Sequence, residues 1–101
     1  MIKLEFRSKH LKRCYEDGKY GNMKLGKLHL KYIKRIDMLK TLDSFNDLFT
    51  QFASYRPHRV SKSMTSIDLD GNNRLWLSYR EEGKIEIVKI EWVGDPHGKQ
   101  V

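Results

Sequence analysis

Ile2-Lys3-Leu4-Glu5-Phe6 alternates apolar and charged residues, the period of a strand with one buried face. Ser8 is placed to cap a short helix carrying Leu11, Cys14 and Tyr15, and Gly18 to end it in the left-handed conformation. Tyr20-Gly21-Asn22 reads as the turn that follows. From Lys24 to Leu42 the apolar positions Leu25, Leu28, Tyr32, Ile36 and Leu39 recur at three- and four-residue steps, which predicts one long amphipathic helix. Ser44 and Asp47 have the spacing of a capping box, opening a short helix with Phe45, Leu48, Phe49 and Phe52.

Beyond the polar stretch 55–63 the period changes from helical to alternating. Ile67 and Leu69, then Leu75, Leu77 and Tyr79, form the apolar sides of two strands around the turn Asp70-Gly71-Asn72-Asn73. After Glu81-Glu82-Gly83 the run Lys84 to Val93 is too densely apolar for a half-exposed strand and predicts the sheet centre. The order of elements predicts an α+β domain, with an N-terminal strand and a helical hairpin packed on one face of a small, mainly antiparallel sheet. At 101 residues, 39% hydrophobic, the chain suits one domain over 1–101.

Charge narrows the partners. Lys and Arg number 20 against 13 Asp and Glu, a net +7, which points to a polyanion, nucleic acid before acidic protein. Residues 1–40 hold twelve of the basic residues against four acids, so the attraction is concentrated in the helical half. One cysteine, Cys14, and four scattered histidines exclude a disulfide-stapled secreted fold and a zinc module, and no metal or cofactor is expected. No apolar run reaches the length of a membrane span, and MIKLEFRSKH lacks a signal-peptide core, so a cytoplasmic location away from membranes is expected.

On the strand from Arg74 to Arg80 the even positions Arg74, Trp76, Ser78 and Arg80 share the face away from the helices. Arg56, His58, Arg59 and Lys62 crowd the segment before the hairpin, and Asp95, His97 and Lys99 follow the last strand. Arginine offers a planar fork for phosphate, an aromatic ring stacks on an unpaired base, and histidine moves a proton near neutral pH. Metal-independent RNA cleavage needs a base for the 2′-hydroxyl, a cation for the crowded phosphate and an acid for the leaving oxygen. His58, Arg74 and His97 suit those roles, with Asp95 beside His97 and with Arg56, Arg59, Lys62, Trp76, Arg80 and Lys99 as RNA-binding candidates. Arg74 and Arg80 suit equally well an ion-paired sheet face, with Glu86 and Glu91 on the neighbouring strand.

The order of parts and several residues resemble the RelE/ParE toxin superfamily, most closely its HigB branch of plasmid-maintenance killer proteins. The hairpin Ser66-Ile67-Asp68-Leu69-Asp70-Gly71-Asn72-Asn73-Arg74-Leu75 is similar to the family's strand, Gly-Asn turn and arginine, with Arg74 on the phosphate-binding position. The basic segment with His58 and Lys62 resembles the one carrying a catalytic histidine or lysine, and Asp95-Pro96-His97 resembles the branch's C-terminal Asp-Tyr-His. Pro96 departs from the pattern, as does Ser78 where a second arginine is common; Arg80, Tyr79 and Trp92 are the residues placed to compensate. The resemblance implies a type II toxin that cleaves mRNA in the ribosomal A site, against 16S rRNA, and is silenced by an acidic or helix-turn-helix antitoxin. A ParE-like inhibitor of DNA gyrase, or an inactive relative that binds RNA or antitoxin, are the alternatives.

Overall fold

The computed structural model describes residues 2–98 and 101. Strand β1 (Ile2–Phe6) leads to α1 (Lys9–Glu16), whose N-terminus is capped by Ser8 Oγ accepting from the Leu11 amide at 3.1 Å. Asp17 then does two jobs. Its amide closes α1 on Arg13 O, and its carboxylate accepts from the Tyr20 amide at 3.1 Å to open α2 (Gly18–Leu25). Gly18 is therefore the first residue of a helix rather than a left-handed stop, and Tyr20-Gly21-Asn22 is helical rather than a turn. Gly21 is needed for packing: a Cβ there would lie 2.3 Å from Cys14 O, so only glycine lets α2 press against α1.

The long helix expected over 24–42 is also divided. Gly26, at φ +56°, ends α2, and a 3-10 turn (Gly26–Leu28) precedes α3 (His29–Lys40). The three- and four-residue spacing survives the break because Leu25 and Tyr32 are both buried in the same core. Asp47 accepts from the Ser44 amide at 3.2 Å, which is half of the expected capping box; the single-turn α4 (Asp47–Thr50) starts after Asn46, which makes no side-chain cap bond, and leaves Phe45 and Phe52 outside it.

The sheet comprises β1, β2 (His58–Arg59), β3 (Met64–Asp70), β4 (Asn73–Glu82) and β5 (Ile85–Gly94), in the order β1-β5-β4-β3-β2. β1 runs parallel to β5 and all other neighbours are antiparallel. The centre is thus β4. β5 is densely apolar because it too is paired on both sides, with β1 beyond it. The polar segment 55–63 contributes the short strand β2, pairing His58 with Ser66 and Arg59 with Thr65.

The helices cover one sheet face. Leu11, Cys14, Tyr32, Ile36, Leu39 and Leu48 meet Ile67, Leu75, Leu77, Val88, Ile90 and Val93 in a single core. On the opposite face Trp76 and Ile87 are buried outside that core. A register shift makes Trp76 face Trp92 while Leu77 faces Ile90, leaving Glu91 as an extra residue. The bulge puts both indoles on the outer face, stacked at 4.3 Å between centroids.

Candidate functional site

At the end of the sheet where β3 stops and β4 begins, a cleft of about 400 Å³ opens on the face away from the helices. The β3–β4 turn supplies Gly71 and Asn72, with Gly71 at φ +56°. β5 delivers Asp95, Pro96 and His97 directly beyond its last residue, and the segment before β2 delivers Arg56. Arg74 and Asp68, cross-strand partners on β4 and β3, form the wall.

Asp68 is the hub. Its carboxylate accepts from Arg56 Nε at 2.5 Å and from Arg74 Nη1, while its carbonyl accepts from Arg35 Nε at 2.9 Å. Arg74 also donates through Nε to Ser66 Oγ at 2.8 Å, and through Nη2 to Arg56 O at 2.6 Å and Ser66 O at 3.1 Å. Four of the five guanidinium donors are therefore satisfied within the protein, leaving one Nη1 hydrogen for a ligand. Arg56 differs. Its side chain is 74% exposed, and its bond to Asp68 holds its guanidinium protonated more firmly than usual.

Arg56 has φ +48°, alone among the described non-glycine residues in having a positive φ. Left-handed backbone in such a residue, just before Pro57, is held only by surroundings that over-determine it. Here the restraint is visible: its carbonyl is held by Arg74 and its guanidinium by Asp68. Across the cleft, Asp95 Oδ1 accepts from the His97 amide at 2.8 Å and Asp95 O accepts from the Gly98 amide at 3.0 Å. Asp95-Pro96-His97-Gly98 is thus a closed turn that holds the exposed His97 by its backbone.

Of the ten residues singled out from the sequence, the cleft gathers Arg56, Arg74, Asp95 and His97. His58 stands beside it, on the same sheet face opposite Ser66, but does not line it. Arg59 points the other way, with its guanidinium 4.3 Å over the Phe49 ring on the helix side, because neighbours in a strand alternate. Lys62 lies beyond the far end of β3. Arg80 lies six residues from Arg74, about 20 Å along β4. It is held there by Glu5 at 3.0 and 3.2 Å and by Glu82 at 3.1 Å, so it does not replace the arginine missing at Ser78.

Trp76 is no stacking platform. It is 8% exposed, with one ring face against Trp92 and Nε1 donating to Gly94 O. Tyr79 is likewise spent, stacked on Phe45 at 4.5 Å and hydrogen-bonded to Glu81 and Glu86 on the helix side. Lys99 lies outside the described residues. The ion-paired reading of the two arginines holds, but with Asp68, Glu5 and Glu82 as partners in place of Glu86 and Glu91. Sequence reasoning missed Asp68 and Ser66. Their shared parity with His58 and Trp76 was visible, but the register that sets Asp68 opposite Arg74 belongs to the folded sheet.

Among the described residues no group of three or more His, Cys, Asp or Glu is placed to hold a metal ion, and no helix is long and apolar enough to cross a membrane. Comparison with protein-family models, with curated proteins and with solved structures gave no match.

Proposed function

We propose that the cleft binds a phosphodiester of single-stranded RNA and that the chain is a toxin of the type II toxin–antitoxin class, an endoribonuclease acting on mRNA in the ribosomal A site. The observation that carries this reading is the convergence of Arg74, Arg56, Asp95 and His97, from three separated segments, on one open cleft. In this reading the 2′-hydroxyl attacks the adjacent phosphorus, the 5′-oxygen leaves, and a 2′,3′-cyclic phosphate results. His97 is the proton donor to the leaving oxygen, held by the Asp95 turn. Arg56 supplies an exposed positive charge to the phosphate, and Arg74 its one remaining N–H while it fixes the loop that carries Arg56. His58, one strand outward from Ser66, is the nearest histidine beyond the lining to accept the 2′-hydroxyl proton. The basic helical layer steers the protein to ribosomal RNA, and a cognate antitoxin silences it in the cytoplasm.

Purified ribosomes programmed with mRNA test the reading by primer extension. Discrete cuts that disappear in His97→Gln are expected, and intact mRNA at stoichiometric protein overturns it. Two observations favour a second reading. Arg74 is largely neutralised by Asp68, and Pro96 stands where the resembled branch has an aromatic hydroxyl, as suits a ParE-like gyrase inhibitor or an inactive RNA- or antitoxin-binding relative. Pulse labelling separates the classes: a nuclease stops protein synthesis first, a gyrase inhibitor DNA synthesis first.

A further inference from the structure

The sheet has an open edge at β1, distant in topology from the cleft. The Arg7 amide donates to Ile90 O at 2.9 Å, and Phe6 stands beside Ile90 in the register. In a parallel ladder this parity turns the amides of Lys3, Glu5 and Arg7 toward β5, and those of Ile2, Leu4 and Phe6 outward. No backbone partner within the described residues meets the outward groups of Leu4 and Phe6.

Along that edge runs a groove of about 550 Å³ between β1 and the start of α1. Partly exposed Leu4 and Phe6 line it, together with the cations Arg7, Lys9, Lys12 and Lys89. None of those four cations forms an ion pair among the described residues. The single acid in the lining, Glu5, is taken by Arg80, whose hydrogen bonds hold its carboxyl below the usual range. The groove therefore offers unpaired backbone and a surplus of positive charge together, four cations against the one acid that Arg80 already holds.

We infer that β1 is a strand-addition site for an acidic, extended peptide segment of a partner protein. Backbone groups that alternate donor and acceptor match another extended backbone, which is the recognition mode of sheet augmentation. A nucleic-acid strand has phosphates for the cations but no backbone N–H and C=O groups alternating at strand spacing to pair with the outward groups of β1. A second copy of this chain is disfavoured, because pairing two β1 edges would bring two sets of four cations together, a common device against self-association. The matching segment alternates apolar residues, which extend the strip begun by Leu4 and Phe6, with acids that meet Arg7, Lys9, Lys12 and Lys89. This inference rests on topology and charge and stands whether or not the cleft cleaves RNA.

The probes are an eight-residue peptide alternating valine and glutamate, its valine–lysine counterpart, and an oligouridylate of eight nucleotides. With the glutamate peptide, amide exchange at Leu4 and Phe6 is expected to slow, read by proton–nitrogen NMR on the intact chain. The affinity should fall as salt is raised, and by about tenfold in the double variant Lys9→Glu/Lys12→Glu, two exposed residues of α1 whose fold is checked by circular dichroism. A glutamate peptide N-methylated at every amide, with no N–H left for the outward carbonyls, should not slow that exchange, and binding as tight as the parent peptide's overturns the inference. Unchanged exchange at Leu4 and Phe6 under saturating glutamate peptide overturns the inference. So does equal binding of the lysine peptide. If the oligouridylate alone shifts Arg7, Lys9, Lys12 and Lys89, the groove is a nucleic-acid surface and the peptide assignment is wrong.

Discussion

Arg74→Ala separates an arginine that binds substrate from one that builds the site. As a free sheet-face cation, Arg74 would contribute little to stability, and its loss would appear only in catalysis. The structure gives it four internal hydrogen bonds, two of them to Ser66, which is 1% exposed. Removing the side chain strands the Ser66 hydroxyl away from water, takes one donor from the Ser66 carbonyl, unties Arg56 O, and leaves the Asp68 carboxylate with Arg56 alone of its two arginines. Charge-assisted bonds are worth about 1.5–3 kcal/mol each, but water reaches Asp68 and Arg56, so only the groups on Ser66 bear the full loss. The expected destabilisation is about 3 kcal/mol, a fall in Tm of roughly 12–24 °C for a domain of this size. Urea unfolding followed by circular dichroism measures it, with Arg74→Lys as the companion variant that keeps charge but loses the fork. If Arg74→Ala unfolds within about 0.5 kcal/mol of wild type, the hub has no structural weight and the argument fails, whatever happens to cleavage.

In the ribosome cleavage assay, His97→Gln should lower the rate by about 10²-fold and His58→Gln by clearly less, since only His97 lines the cleft; equal losses would place His58 inside it. Glu5→Gln tests the β1 end of the sheet. The Glu5 carboxyl is held below its ordinary range by Arg80, so its stabilising contribution is present above the ordinary glutamate pKa and is lost as pH falls through the depressed one. Wild type should therefore exceed Glu5→Gln in Tm at pH 7, with the gap closing below about pH 4, and a gap that widens on acidification contradicts the pairing. Gly21→Ala, though favourable for an isolated helix, should destabilise by about 1–3 kcal/mol because the new methyl meets the Cys14 carbonyl; a gain in urea midpoint would refute that close approach.

Local periodicity was enough to read β1, the Ser8 cap, the Ser44–Asp47 contact, the hairpin and the α+β class, because alternation and three-to-four spacing follow from one element's own geometry. It misplaced the helical turn, since the break between α2 and α3 depends on Gly26 at φ +56° and the start of α2 on Asp17, while Gly18 and Gly21 look the same on paper. It put the sheet centre at β5, since burial on both faces reads alike for any interior strand and β1's return to β5's far side leaves no local mark. For the site, residue types and segment positions picked out Arg56, Arg74, Asp95 and His97, which line one cleft. Whether each is available was decided only by cross-strand register. Asp68 falls opposite Arg74, Glu5 reaches Arg80 across β5, and the Glu91 bulge turns Trp92 onto Trp76. Those pairings join residues up to 75 positions apart, and their register is set by how the whole sheet closes against one core.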